Sequence, residues 1–144
     1  SLKMSDFLRC FAREFAALDK DNLDRLNTLY TDDVLFTDPL HQIRGIQDMH
    51  RYFGELYANV RQLRFDFYGF DETSPGSGYL RWTMSYVHPR LAKGRTIRVD
   101  GCSHLMWRAD KVYQHRDYFD AGALLCEHLP VMGTLIAWLK RRLG

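Results

Sequence analysis

Near the start of the chain, Phe7, Leu8, Phe11, Phe15 and Leu18 recur at three- and four-residue intervals. That spacing predicts an amphipathic helix, with Ser5 placed to cap its first turn. The run Asp19–Asn22 breaks the pattern. Asp21 or Asn22 can cap a second, shorter helix with Leu23, Leu26 and Leu29 on one side. Tyr30 closes it, and Thr31–Asp33 is expected to turn the chain. Val34–Thr37 reads as a short strand. Pro39 stops it, because proline has no amide donor and holds Asp38 extended. Leu40–Arg44 reads as a loop ending at Gly45. A third helix is expected from about Ile46 to Val60, with Ile46, Met49, Tyr52, Phe53, Leu56 and Tyr57 as its apolar side.

From Leu63 the period changes to two. Leu63, Phe65, Phe67 and Gly69 oppose Arg64, Asp66, Tyr68 and Phe70, which predicts a strand. Asp71–Gly78 is rich in turn-forming residues. Strands are then expected at Tyr79–His88, Thr96–Arg108 and Val112–Phe119. Pro89, Lys93–Gly94 and Ala109–Asp110 separate them. Four strands joined by short turns make an antiparallel meander. Beyond Gly122 a helical tail is expected, broken at Pro130 and resumed through Leu135, Ile136, Trp138 and Leu139. Helices on one face of a long sheet give an α+β layout, with no linker or repeat to divide residues 1–144 into more than a single domain.

The last strand carries the densest chemistry. On a period of two, Tyr113, His115, Asp117 and Phe119 share a face, so an imidazole and a carboxylate are neighbours among aromatic rings. Such a face is expected to line a cavity. By the same count His104 shares a face with Asp100, Cys102 and Met106, and Trp82, Met84 and Tyr86 form an apolar wall. His41 lies three residues after Asp38, at the expected pocket mouth.

Composition removes several classes. The 144 residues suffice for one domain with a real core, and a net charge of +2 gives no footprint for nucleic acid. The basic Lys140–Arg142 cluster reads as a helix end complementing its dipole. Cys10, Cys102 and Cys126 are odd in number and lack CxxC spacing, so they read as buried thiols in a reducing compartment, not as a disulfide or zinc framework. No apolar run reaches bilayer length and no signal-peptide pattern opens the chain, so no membrane partner is expected and the default location is cytoplasmic. His104, His115, Asp38 and Asp117 lack chelate spacing, so no metal is expected. Neither a GxSxG elbow nor a phosphate loop is present.

Element order and particular residues together resemble the NTF2-like (SnoaL-like) superfamily over essentially the full length. The resemblance rests on Asp21–Val34, on Phe36–Thr37–Asp38–Pro39, on Gly45 opening the third helix, and on Arg116–Asp120. It implies a cone-shaped α+β fold: three N-terminal helices packed on a curved antiparallel sheet, with a C-terminal helical tail. The wide end of the cone would be a ligand pocket. Compared with ketosteroid isomerase, Asp38 looks like the general base and His104 falls near the oxyanion-hole acid. The oxyanion-hole tyrosine falls near Glu14–Phe15, where no tyrosine stands. Compared with limonene-epoxide hydrolase, His115–Asp120 resembles the Trp-Arg-Asp-Tyr-Phe-Asp motif, which makes Asp117 the counterpart of a catalytic aspartate. That enzyme's Arg-x-Asp falls at Arg81–Met84, which has no acid, and Arg98–Val99–Asp100 comes one strand late.

Two functions follow as expectations. One is a cofactor-independent proton-transfer enzyme of isomerase, cyclase or dehydratase type. It would use Asp38, His104, His115 and Asp117 on a small apolar molecule bound by Trp82, Met84, Tyr86, Phe119 and His41. Burial would raise the pKa of Asp38 and suit it as a base. The other is a non-catalytic module that only binds the small molecule, or a homodimer formed through an outer sheet face carrying Val99, Leu105 and Trp107.

Overall fold

The computed structural model describes residues 6–121 and 141–142. Helix α1 (Asp6–Ala16) buries Leu8, Phe11, Ala12 and Phe15 along one stripe. A 3₁₀ turn (Leu23–Arg25) leads into the single turn of α2 (Leu26–Leu29). Asn22 does not cap it. Its side chain instead ties the loop together, accepting from the Asp19 amide and donating to the Ala17 carbonyl. Strand β1 (Tyr30–Thr37) is longer than expected. Thr31–Asp33 continues the strand, with Asp32 and Asp33 exposed where its pairing is irregular. Strand β2 (Gln42–Arg44) occupies part of the expected loop. Gly45 then turns with φ +92°, a left-handed conformation that glycine adopts freely, and opens α3 (Ile46–Asn59).

Strands β3 (Arg61–Ser74), β4 (Ser77–Val87), β5 (Thr96–Arg108) and β6 (Lys111–Phe119) form the expected antiparallel meander. Asp71–Ser74, read as turn, is strand. The turn itself is short and built on Gly76, whose φ is +80° and whose carbonyl accepts from the Trp107 amide. The sheet order is β2-β1-β6-β5-β4-β3. Because β1 runs parallel to β6, the sheet is mixed, not purely antiparallel. The helical tail expected at 122–139 lies outside the described residues, as do Ser5, Lys140 and Cys126.

One face of the sheet is covered by α1 and α3. Its core holds Phe11, Phe15, Phe36, Met49, Phe53, Leu80, Trp82, Leu105 and Val112. A smaller cluster of Tyr86, Ile97 and Val99 lies toward Val60, Leu63 and Leu91. Met84 and Phe119, both half-buried, pack against the two clusters alike. Val99 and Leu105 are therefore core residues and not an outer dimer face. Trp107 stacks on Phe7 at 4.5 Å on the same helix-covered side. Among the described residues, the large apolar side chains exposed instead are Tyr68, Tyr79 and Tyr118. Cys10 is exposed and Cys102 half-buried, so neither is the buried thiol that the sequence suggested.

A close approach fixes the centre of the sheet. Gly101 pairs with Trp82, and a Cβ at Gly101 would stand 2.4 Å from the indole ring. Gly101→Ala must push Trp82 aside, and we expect a loss of about 1–3 kcal/mol, the usual cost of overpacking a core. Urea unfolding followed by tryptophan fluorescence measures it. A variant as stable as the parent, with unchanged emission, would show that the ring does not lie over Gly101.

Candidate functional site

Five buried or half-buried polar groups form one chain on the helix-covered face. Trp82 Nε1–H donates to Ser103 Oγ at 2.8 Å. The Ser103 hydroxyl donates to Asp117 Oδ1 at 2.5 Å. His115 Nε2 lies 2.6 Å from the same oxygen, and His115 Nδ1 lies 2.9 Å from the Tyr30 hydroxyl. Strand pairing produces this arrangement. Ser103 is the direct cross-strand partner of Asp117, and Leu105 that of His115, so their side chains leave the same face. The irregular β1–β6 pairing brings Tyr30 alongside.

The directions of the hydrogen bonds follow from chemistry. An ionised carboxylate only accepts, so His115 Nε2 carries a proton. Burial first, then the charge of Asp117, pushes the Tyr30 hydroxyl well above its ordinary pKa. Tyr30 therefore stays a phenol, able to donate to Nδ1 when Nε2 alone carries the imidazole proton. Two donor chains then converge on Asp117 Oδ1: Tyr30 to His115 to Asp117, and Trp82 to Ser103 to Asp117. Both end on one oxygen, leaving Oδ2 for a ligand. The Asp117 side chain is 16% exposed, against 3% for His115.

This face also bounds a hollow lined by Phe11, Phe15, Phe65, Phe67, Leu80 and Trp82, with Ser103, His115 and Asp117 as its polar wall. Its free volume is about 10 Å³, close to the minimum for one ordered water. Aromatic rings fill the rest: Phe15 lies 5.2 Å from Phe65, and Phe36 lies 4.8 Å from His115.

The other expected site residues lie elsewhere. Asp38 sits between β1 and β2 as an Asx-turn acceptor. Its Oδ1 receives the Leu40 amide at 2.8 Å and the His41 amide at 2.6 Å. Its Oδ2 receives the Tyr52 hydroxyl at 3.2 Å, and His41 Nδ1 lies 3.2 Å from Oδ1. Burial pushes the Asp38 carboxyl up, as the sequence suggested. Hydrogen bonds and charge from His41, together with the Leu40 amide, outweigh it and hold the group below its ordinary value. His104 is on the opposite face from His115, in contact with Ser77 Oγ at 3.0 Å and the Tyr79 ring at 4.8 Å. It therefore shares no site with His115. Tyr113 does not share the His115 face either. The register shifts between Met106 and Trp107, Val112 takes the inward position, and the Arg108 guanidinium covers the Tyr113 ring. Of the expected apolar wall, Trp82 lines the hollow, while Tyr86 belongs to the smaller core cluster.

Because the folded Asp38 has the lower pKa, its contribution to stability is present above the ordinary carboxylate value and is lost as pH falls through the folded one. Asp38→Asn should be less stable than the parent at neutral pH, and the gap should close below about pH 4. Urea midpoints across that range test it, and a gap that widened on acidification would contradict the assignment.

Ser103 and Tyr30 were not legible as site residues. The signal for Ser103 is that it shares parity with Ile97, Val99 and Leu105, which puts a hydroxyl on a buried stripe. Tyr30 ends an apolar helix pattern and carries no signal of its own.

The family model for the SnoaL-like domain matches residues 11–115. The chain belongs to the SnoaL-like domain family. Solved structures agree on the fold. An NTF2-like protein of unknown function from Burkholderia pseudomallei superposes with a TM-score of 0.70 at 14% identity, covering 85% of this chain and 95% of that one. An epoxide hydrolase of the LEH-like type from M. tuberculosis gives 0.66 at 16% identity, covering 88% and 92%. A protein of ketosteroid isomerase-like fold from Catenulispora acidiphila, in complex with trimethylamine, gives 0.66 at 13%, covering 84% and 90%. A search of the curated proteins finds no match. In this SnoaL-like chain the match ends at His115, so Asp117 lies just beyond it. Among the described residues no helix is long and apolar enough to cross a membrane.

Proposed function

We propose that this SnoaL-like protein moves a proton on a small, mainly apolar carbonyl compound without a cofactor, in an isomerase, cyclase or dehydratase type of reaction. The observation that carries this reading is the convergence of two donor chains on Asp117 Oδ1 at the wall of an aromatic hollow. Asp117 Oδ2 takes the proton from the carbon next to the carbonyl. The C–H electron pair becomes the enolate double bond and the carbonyl π pair moves to oxygen. The same carboxyl returns the proton, at that carbon or at a conjugated one. Ser103 and His115 hold the carboxylate in place, and Tyr30 fixes the imidazole tautomer that can donate to it. A substrate larger than water requires the rings to move. Phe65 and Phe67, half-buried on the edge strand β3, are the ones with room to do so.

The small free volume favours a second reading, in which the same face binds a compact apolar ligand and Asp117 only orients it. Deuterium exchange separates the two. In D₂O the parent protein should speed loss of the α-proton NMR signal of 2-tetralone, an enolisable aromatic ketone. Asp117→Asn should slow it by on the order of 10²-fold or more. Equal exchange by the two folded proteins would end the catalytic reading. Equal exchange together with saturable binding of the ketone would favour the binding module.

A further inference from the structure

His41 stands outside the interior network, yet it has the environment of a working imidazole. Its Nδ1 lies 3.2 and 3.3 Å from the two oxygens of Asp38. The Asp38 side chain is 5% exposed and held from several sides, by the Leu40 and His41 amides and by the Tyr52 hydroxyl. A carboxylate held in this way can only accept, so Nδ1 carries the proton and Nε2 carries the lone pair. The Tyr52 ring packs against the imidazole edge at 5.1 Å and limits its rotation. The His41 side chain is still 36% exposed. It lines an open cleft of about 540 Å³ shared with Gln42, Ile43, Arg51, Tyr52 and Glu55, within the size range of small-molecule sites.

We propose that His41 and Asp38 form a second acid–base site, in which His41 Nε2 is the general base for hydrolysis of a small ester bound in this cleft. Nε2 takes a proton from a water, and the water oxygen bonds to the acyl carbon. The bond from that carbon to the leaving oxygen breaks with its electron pair on oxygen, and the imidazolium returns the proton to it. Asp38 is a positioning residue: it selects the tautomer and stabilises the transient imidazolium. This site uses none of the residues assigned to the interior proton transfer and stands or falls separately from it.

The test is hydrolysis of p-nitrophenyl acetate, followed by release of p-nitrophenolate. The parent should exceed His41→Gln by at least about tenfold, at the cautious end of general-base contributions. His50→Gln removes an imidazole bonded to Asn27 on the exposed side of α3 and should leave the rate unchanged. Asp38→Asn keeps an oxygen for the loop amides and loses the charge, together with the second oxygen that accepts from the Tyr52 hydroxyl. Its kcat should fall toward that of His41→Gln with KM little changed, because the transient imidazolium loses its counter-ion. The other charged groups lining the cleft, Asp48, Arg51, Glu55 and Arg142, and the Tyr52 hydroxyl are common to both proteins, so the fall in kcat reads Asp38. A His41→Gln protein that releases p-nitrophenolate as fast as the parent overturns the proposal. So does an Asp38→Asn protein whose kcat matches that of the parent.

Discussion

Phe15→Ala should cost about 3–5 kcal/mol, the usual range for truncating a buried phenylalanine. The ring is 5% exposed and stands at the centre of the aromatic interior. Its centroid lies 5.8 Å from Phe11 and from Phe53, 5.2 Å from Phe65 and 6.2 Å from Phe67 and His115. Truncation removes those contacts, and the surrounding strands are too constrained by pairing to collapse into the gap. It also enlarges the hollow beside Asp117, which Phe15 helps to line. The variant should therefore have a lower urea midpoint with little change in slope. Benzene should raise its melting temperature, as expected when a ligand binds only the folded state. A loss below about 1 kcal/mol would mean that the interior is more loosely packed than described.

Asp117→Ala should be nearly as damaging, for a polar reason. It leaves the Ser103 hydroxyl and His115 Nε2–H without their acceptor. Each orphaned buried donor costs about 1–3 kcal/mol, so the two together should cost roughly 2–6 kcal/mol. Asp117→Asn retains an amide oxygen and should lose less. The ranking parent, Asn, Ala in urea midpoint is the expected result. An alanine variant as stable as the parent would show that Ser103 and His115 do not depend on this carboxylate.

The helices and the meander were legible in the sequence because each buries one face and so imposes a clean period. Phe7–Leu18 marks a stripe at helical spacing, and the alternation from Leu63 marks a sheet. The polar stretches misled. Thr31–Asp33 reads as a turn by composition, yet it spans the irregular stretch between the points where β1 pairs through its backbone with β6, at Tyr30 and at Leu35–Thr37, while Asp32 and Asp33 face water. Asp71–Ser74 is strand because its backbone pairs with β4 on the edge of the sheet. The parallel contact between β1 and β6 joins segments far apart in the chain and leaves no local mark.

The site was half legible. His115 and Asp117 are flanked by rings, and their alternation was enough to place them inward together. Tyr113 was misplaced because an irregular register before Gln114 changes the parity. His104 was misplaced because alternation states which residues share a face and not which face is covered. On β5 the covered parity is Ile97, Val99, Ser103 and Leu105. Gly101 and Ser103 interrupt its apolar signal where Trp82 and Asp117 reach across from neighbouring strands. By sequence Asp38 reads as a partly buried base with a raised pKa, but the local geometry of Asp-Pro-Leu-His supplies it with enough donors to reverse that shift.

The interior chain from Tyr30 to Asp117 carries the proposed proton transfer, and long-range ¹H–¹⁵N NMR of His115 tests it most directly. The imidazole should carry a proton at Nε2 that exchanges slowly with water and is lost from view in Asp117→Asn. A bare Nε2, or an Nε2 proton that exchanges as fast as that of a surface histidine, would contradict it.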